Sequence, residues 1–426
     1  MLKSMPKLTL LLTFFMLAAP ALAADDASFL VAGTLIDMLE GEIVSDPVIE
    51  IKGDRIVSVT SGGDVPDGAT IIDLGDATIL PGLTDTHMHL TYYDTDFGID
   101  VMAVSTADYA IRGVVNAKRS LLRGFTSGRN LGAAGYADVA LRNAINAGMI
   151  PGPRLQVSGP SIGVTGGHCD NNWLAVEFDA SGEGVTDGPW GMRQKVRENK
   201  KYGADVIKIC ATGGVLSKGT NPGARQMAFE EMKAVVDEAH MLGLQVAAHA
   251  HGTEGVLFAI QAGVDSIEHS SLIDDEGLKL AKENGTFLSI NAYSPVFMRD
   301  HGESLGIPAE SLVKARAMAD RRLARYRAAI EAGAKIAFGT DTSTYPHADH
   351  ARQFSVYVDL GMSPMQAIQS ATTVAAESLG WVGDTGAVAP GYFADIIAVD
   401  GDPLADISVL ENVTFVMKGG EVYKSR

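Results

Sequence analysis

The chain has 426 residues and carries 34 Lys+Arg against 52 Asp+Glu, a formal net charge of −18, which argues against nucleic acid and anionic membrane surfaces as partners. Hydrophobic residues at 46% and charged residues at 20% describe a globular chain with a large core, long enough for one barrel-sized domain and a smaller satellite. Two cysteines exclude a disulfide scaffold and any Cys-rich zinc or iron–sulfur site.

Lys3 and Lys7 precede an apolar run from Leu8 to Ala19, and Ala21-Leu22-Ala23 supplies the small-x-small pattern that signal peptidase reads. Residues 1–23 therefore read as a secretory signal peptide, with a mature start at Ala24 and an exported, periplasmic or secreted product. The run is shorter than the roughly 20 apolar residues of a bilayer span, and no other stretch approaches that length. No membrane association is expected after cleavage. An uncleaved anchor is the alternative, and the well-placed cleavage residues weigh against it.

From Phe29 to Thr78, short β-branched runs (Val48–Ile51, Arg55–Val59, Ile71–Leu74) are separated by Gly, Asp and Pro turns. Ala394–Val399, Val413–Met417 and Glu421–Tyr423 have the same texture at the other end. Residues 24–80 and 383–426 are expected to form one small composite β-sandwich domain.

Residues 81–382 alternate strand and helix signals. Ala204–Thr212, Leu244–His249, Val264–His269, Thr286–Asn291 and Lys335–Asp341 are predicted strands. Met232, Val235, Val236 and Ala239 recur at helical spacing in Phe229–Met241, with Gly243 just beyond. Ser363 and Pro364 read as the N-cap and first turn of a helix running to Gly380. Repeated βα units over this length predict an α/β fold, a parallel (β/α)8 TIM barrel in preference to an open sheet.

Five of the ten histidines and one lysine fall at the C-terminal ends of these strands, where a barrel carries its active site. In Thr86-His87-Met88-His89 an extended backbone would point both imidazoles to one face, as metal ligands or simply as a polar pair near a strand end. Lys208 interrupts an apolar strand between Ile207 and Ile209. It is either an inward ammonium paired with a carboxylate or a lysine converted by carbon dioxide to a carbamate able to bridge two cations. His249 and His251 repeat the alternation, His269 ends the next strand, and Asp341 closes the last. Imidazole and carboxylate are ligands that suit zinc.

The order HMH, Lys208, His249, His269, Asp341 resembles the binuclear type of the amidohydrolase superfamily. PGLTDTHMHL, VIKICATGGVLS, VAAHAHG, SIEHSSLID, AFGTDTS and the tail GAVAPGYFADIIAVDGDPLADISVL are similar to its imidazolonepropionase-related branch, which holds prolidase-like, Arg/Lys carboxypeptidase and ochratoxin-hydrolase enzymes. The resemblance implies two divalent metal ions, with zinc the expected metal. His87, His89 and Asp341 would bind the more buried ion and His249 and His269 the exposed one, with carboxylated Lys208 between them. Two dications against a carbamate, an aspartate and a hydroxide leave one positive charge, which suits a developing oxyanion. Asp341 would carry the proton of the attacking water to the leaving amine.

The resemblance further implies a hydrolase of N-acyl amino acids or dipeptides with a free carboxylate, ochratoxin A among the candidates, working as a homo-oligomer, in some relatives an octamer. His251 is a candidate for polarising the carbonyl, contacting substrate or donating a hydrogen bond behind the ligands. His168 is a second substrate contact. Arg225 and Tyr93 are candidates for holding the carboxylate. His240, His301, His347 and His350 read as surface or helix residues. A mononuclear cyclic-amide hydrolase of the same branch is the alternative, which Lys208 argues against; a non-catalytic scaffold would be expected to have lost ligands, and all six are present. One departure stands out: related enzymes read GFTTVRDLGG where this chain has Asn130 in place of the Asp. Cys169 and Cys210 both fall near the barrel mouth, and whether they are bonded stays open.

Overall fold

The β-branched runs at the two ends of the chain meet in one place. The computed structural model describes residues 27–93 and 97–425, so the predicted signal peptide at 1–23 and the cleavage point before Ala24 lie outside the described residues. Ser28–Val31 sits between antiparallel Pro47–Lys52 and parallel Thr70–Asp73, with Arg55–Ser61 completing a four-stranded sheet. A six-stranded sheet unites the ends through the antiparallel pairing of Ile396–Val399 with Thr78–Pro81. Alternation along Pro47–Lys52 turns Ile49 and Ile51 inward. They share a core with Leu30 of the same sheet and with Leu35, Ile79, Ile396 and Phe415 of the other.

The middle of the chain is mixed α/β. Leu83–Met88, Phe125–Asn130 and Arg154–Val157 form a three-stranded parallel sheet. Val206–Cys210, Gln245–Ala250, Ser266–His269, Phe287–Ile290 and Ile336–Phe338 form a five-stranded parallel sheet in chain order. Isolated parallel bridges Ile162↔Ile209 and Met88↔Thr342 run between the two sets. Every residue of Val206–Cys210 is buried, as expected of a parallel strand covered on both faces. That burial makes the lysine within it conspicuous.

Helix Phe229–Met241 spans the predicted residues and buries Met232, Val235, Val236 and Ala239. Ser363 caps its helix as expected, its Oγ accepting from Gln366 N–H at 3.2 Å while Gln366 Oε1 accepts from Ser363 N–H at 2.9 Å. The single helix predicted beyond it is instead two, Pro364–Ser370 and Thr373–Leu379. The Ala371 carbonyl accepts a 2.7 Å hydrogen bond from Thr84 N–H, which ties it to the strand carrying His87, and Thr372 breaks the helix with φ −129° and ψ −95°. No described helix is long and apolar enough to cross a membrane.

Candidate active site

His87 and His89, one strand repeat apart, bring their ring centroids within 5.2 Å. Asp341 Oδ1 stands 3.4 Å from His87 Nε2 and 3.1 Å from His89 Nε2. Asp341 lies three residues beyond strand Ile336–Phe338, where its N–H donates to the His87 carbonyl at 2.8 Å. Gly339 permits this approach, since a Cβ there would overlap Ser289 Oγ and press on His87 Cβ. Asp341 has φ +60° and His269 φ +74°. Such backbone costs of order 1–3 kcal/mol per residue, and it concentrates at functional sites.

A second group stands opposite. His249 lies 4.6 Å, centroid to centroid, from both His251 and His269, and His251 stacks on His269 at 4.5 Å. Nδ1 of His251 is 2.8 Å from Ser271 Oγ, and Nδ1 of His269 is 3.1 Å from Asn291 Oδ1. His168 packs its ring 4.1 Å from that of His249, with Nδ1 2.9 Å from Ser217 Oγ. Gly214 makes room for it, because a Cβ there would strike the His168 ring. Lys208 Nζ is buried without a hydrogen-bond partner.

Burial drives the electrostatics. It lowers His87, reinforced by the Lys208 charge, and holds His249, His251 and His269 well below the usual imidazole range. Burial also brings His168 down to about 4, so these rings are neutral at neutral pH. It pushes Asp341 up, but His87, His89 and Lys208 outweigh it and hold the carboxyl at about 2. Desolvation brings Lys208 down to about 8 even though Glu268 and Asp341 favour its charge.

These residues fit divalent metal ions. His87, His89 and Asp341 offer one set of ligand atoms within 4.8 Å of one another, and His249, His251 and His269 offer another. The neutral imidazoles of His87, His249, His251 and His269 and the ionised carboxylate of Asp341 are in the protonation states that ligation needs. The Lys208 charge bears on His87 and Asp341 in the first set and on all three histidines of the second.

Residues 78–423 match the Amidohydrolase family. The chain belongs to that family. It is 36% identical to the ochratoxinase of Aspergillus niger over 94% of this chain and 88% of the relative. Among solved structures, a Xaa-Pro dipeptidase with methionine bound in its active site is 38% identical with a TM-score of 0.88, covering 94% of this chain and all of the other. A prolidase complexed with N-methylphosphonate-L-proline is 32% identical with a TM-score of 0.87 over the same 94%, and likewise covered in full. These neighbours imply a TIM barrel with an added β domain, and they mark the chain as a hydrolytic enzyme acting on C–N bonds. Amidohydrolases generally use divalent metal ions, which agrees with the two ligand sets.

The amidohydrolase site opens into a cavity of about 320 Å³ lined by His87, His89, His168, Lys208, His249, His251, His269 and Asp341. Arg225 and Tyr93, the carboxylate candidates, are not among its lining residues. Arg225 lies over the Phe258 ring at 4.5 Å with Nε 3.6 Å from Glu254, and Tyr93 packs under Arg112 at 4.6 Å. Tyr92 and Arg322 line the cavity instead. Cys169 and Cys210 also line it and are joined in a disulfide.

Other polar residues behind the site carry no sequence motif. Glu268 Oε2 is 3.0 Å from His87 Nδ1, and Arg129 Nη2 is 3.0 Å from Glu268 Oε1. Both are charges inside buried strands, the same signal that singled out Lys208. His347 and His350, read as surface or helix residues, are buried. His350 spans Asp85 Oδ2 at 2.8 Å and Ser120 Oγ at 3.1 Å, while His347 Nε2 is 3.1 Å from the Tyr92 carbonyl. Polar turns look solvated in sequence, and only the packing of 341–351 against Leu83–Met88 and the residues that follow it buries them. His240 and His301 are exposed, as expected.

Proposed function

We propose that the chain is a binuclear metal amidohydrolase, a closed (β/α)8 barrel with its terminal β-sandwich attached. In this reading it cleaves the amide or peptide bond of N-acyl amino acids or dipeptides that carry a free carboxylate. The observation that carries the reading is Lys208 Nζ, buried and without a hydrogen-bond partner, on a residue that lines the same cavity as both sets of ligand atoms. A buried ammonium without a hydrogen-bond partner is costly, and carboxylation by carbon dioxide turns it into the anion that two adjacent cations require. Desolvation favours that conversion by making the neutral amine accessible near pH 8, where Lys208 titrates at about 8.

His87, His89 and Asp341 would hold one ion, His249 and His269 the other, and carboxylated Lys208 both; zinc suits these ligands. When bound, the ions supply Lewis acidity to a water and to the scissile carbonyl. Asp341 is ionised and accepts the water's proton for delivery to the leaving nitrogen. Ser271 engages Nδ1 of His251 and Ser217 engages Nδ1 of His168, which leaves each Nε2 for the substrate. The names of the dipeptidase, prolidase and ochratoxinase relatives support the substrate class.

Metal analysis with a panel of N-acyl amino acids, dipeptides and ochratoxin A tests the reading. Two ions per chain and turnover of carboxylate-bearing amides are expected. One ion per chain with turnover of a cyclic amide would replace it with the mononuclear alternative. Export, cleavage before Ala24 and homo-oligomeric assembly belong to the same proposal. N-terminal sequencing of exported protein and light scattering check them, and an intact Met1 terminus in the membrane fraction would refute cleavage.

A further inference from the structure

We propose that Arg322 anchors the free carboxylate of the substrate and so sets the specificity of the site; this rests on the amide-hydrolase reading above. Arg322 lies on helix Ala309–Glu331, is 4% exposed, and lines the cavity beside His251 and Asp341. Its Nε donates to Tyr326 Oη at 2.9 Å and its Nη2 to Asn291 Oδ1 at 3.0 Å. Both acceptors are neutral, and Nη1 has no hydrogen bond among the described residues.

The contrast with Arg129 is informative. That guanidinium, equally buried, is neutralised by Glu268 at 3.0 Å. Arg322 forms no ion pair among the described residues, in a chain whose net charge is −18. A buried cation without a counter-charge calls for an anion from elsewhere, and a planar guanidinium held by two hydrogen bonds is organised to receive a carboxylate. Its charge also bears on His251, which lines the same cavity.

Asn291 fixes the direction. Its Oδ1 takes Arg322, and its Nδ2 donates to Asp341 Oδ2 at 3.2 Å. Arg322 and Asp341 are thus separated by one amide group. In an N-acyl amino acid the carboxylate carbon is two bonds from the scissile nitrogen. A carboxylate on Arg322 therefore brings the leaving nitrogen to the side of Asp341, the proton carrier. Phe97, Trp173, Leu216 and Met298 supply apolar wall elsewhere in the cavity, suited to a hydrophobic side chain or acyl group.

The test compares N-acetyl-leucine with N-acetyl-leucinamide on metal-loaded wild type, Arg322→Lys and Arg322→Gln. Wild type should prefer the carboxylate, and Arg322→Gln should lower its kcat/KM by roughly 10- to 100-fold, chiefly through KM, with the amide changed little. Equal loss on both substrates would show that Arg322 merely positions Asn291. Equal wild-type rates on the two would overturn the proposal without any variant. Calorimetry with L-leucine and L-leucinamide gives a readout independent of turnover. Arg322-dependent binding of L-leucine by an enzyme that cleaves neither amide would preserve the anchor and refute the amide-hydrolase reading instead.

Discussion

Glu268 accepts Arg129 on one carboxylate oxygen and faces His87 Nδ1 at 3.0 Å with the other. Burial pushes this carboxyl up, but Arg129 and His87 outweigh it and keep Glu268 ionised. An anion there holds the proton of His87 on Nδ1 and leaves Nε2 free to ligate. Glu268→Gln should weaken metal affinity by about 10- to 100-fold while the fold is kept. Competition with a chelator measures it, and unchanged affinity would reduce Glu268 to a counter-charge for Arg129.

Lys208→Ala should lose both metal and activity, because two adjacent cations need a bridging anion. Short-chain carboxylic acids should restore part of each by occupying the vacated space. Metal stoichiometry by elemental analysis decides this, and two ions retained in the alanine variant would sink the bridging role.

Asp341→Asn should keep much of its metal and lose most of its turnover, since the amide still offers an oxygen but carries no proton. General acid–base catalysis typically contributes 10²–10⁴-fold, and the drop should fall in about that range. Near-normal turnover with full metal would route the proton elsewhere, with His251 the next candidate.

The Cys169–Cys210 disulfide, Cα atoms 6.1 Å apart, ties the loop carrying His168 to the strand carrying Lys208. Replacing both cysteines by serine should cost about 2–4 kcal/mol of stability. It should also raise KM more than it lowers kcat, because His168 loses its tether while the ligand strands do not. Denaturant melts and steady-state kinetics with and without reductant read the two effects.

Asn130 carries the departure from the related pattern, and its neighbours explain it. Its Oδ1 accepts from Leu90 N–H at 2.7 Å, and its Nδ2 donates to Asp138 Oδ2 at 3.3 Å. Burial pushes Asp138 up to about 6, against the hydrogen bonds it accepts from Gly159, Val139 and Asn130. A raised carboxyl stabilises the fold fully below its unfolded pKa and loses that contribution as pH climbs through about 6. A displacement of that size corresponds to about 3 kcal/mol. Asp138→Asn should flatten the fall in stability between about pH 4 and 6, and Asn130→Asp should steepen it by placing a second carboxylate alongside. Unfolding free energies across that range are the check.

Local rules were enough wherever the signal repeats along the chain. Period-two alternation makes His87 and His89 share a face, the apolar run around Lys208 exposes it as an inward charge, and helical spacing delimits Phe229–Met241. Strand-end placement of His249 and His269 followed from the same reading, whereas Asp341 sits three residues past its strand. Tertiary structure decided what depends on segments far apart in sequence. Nothing near Arg225 or Arg322 in the chain says which one meets the cavity. Helix packing turns Arg225 onto Phe258 and sets Arg322 against Asn291, 31 residues away. The helix break at Ala371 likewise exists because Thr84, distant in sequence, takes its carbonyl. Burial of His350 and the shifted acidity of Asp138 arise from neighbours supplied by other strands and loops, since desolvation is a property of the packed surroundings and not of the residue itself.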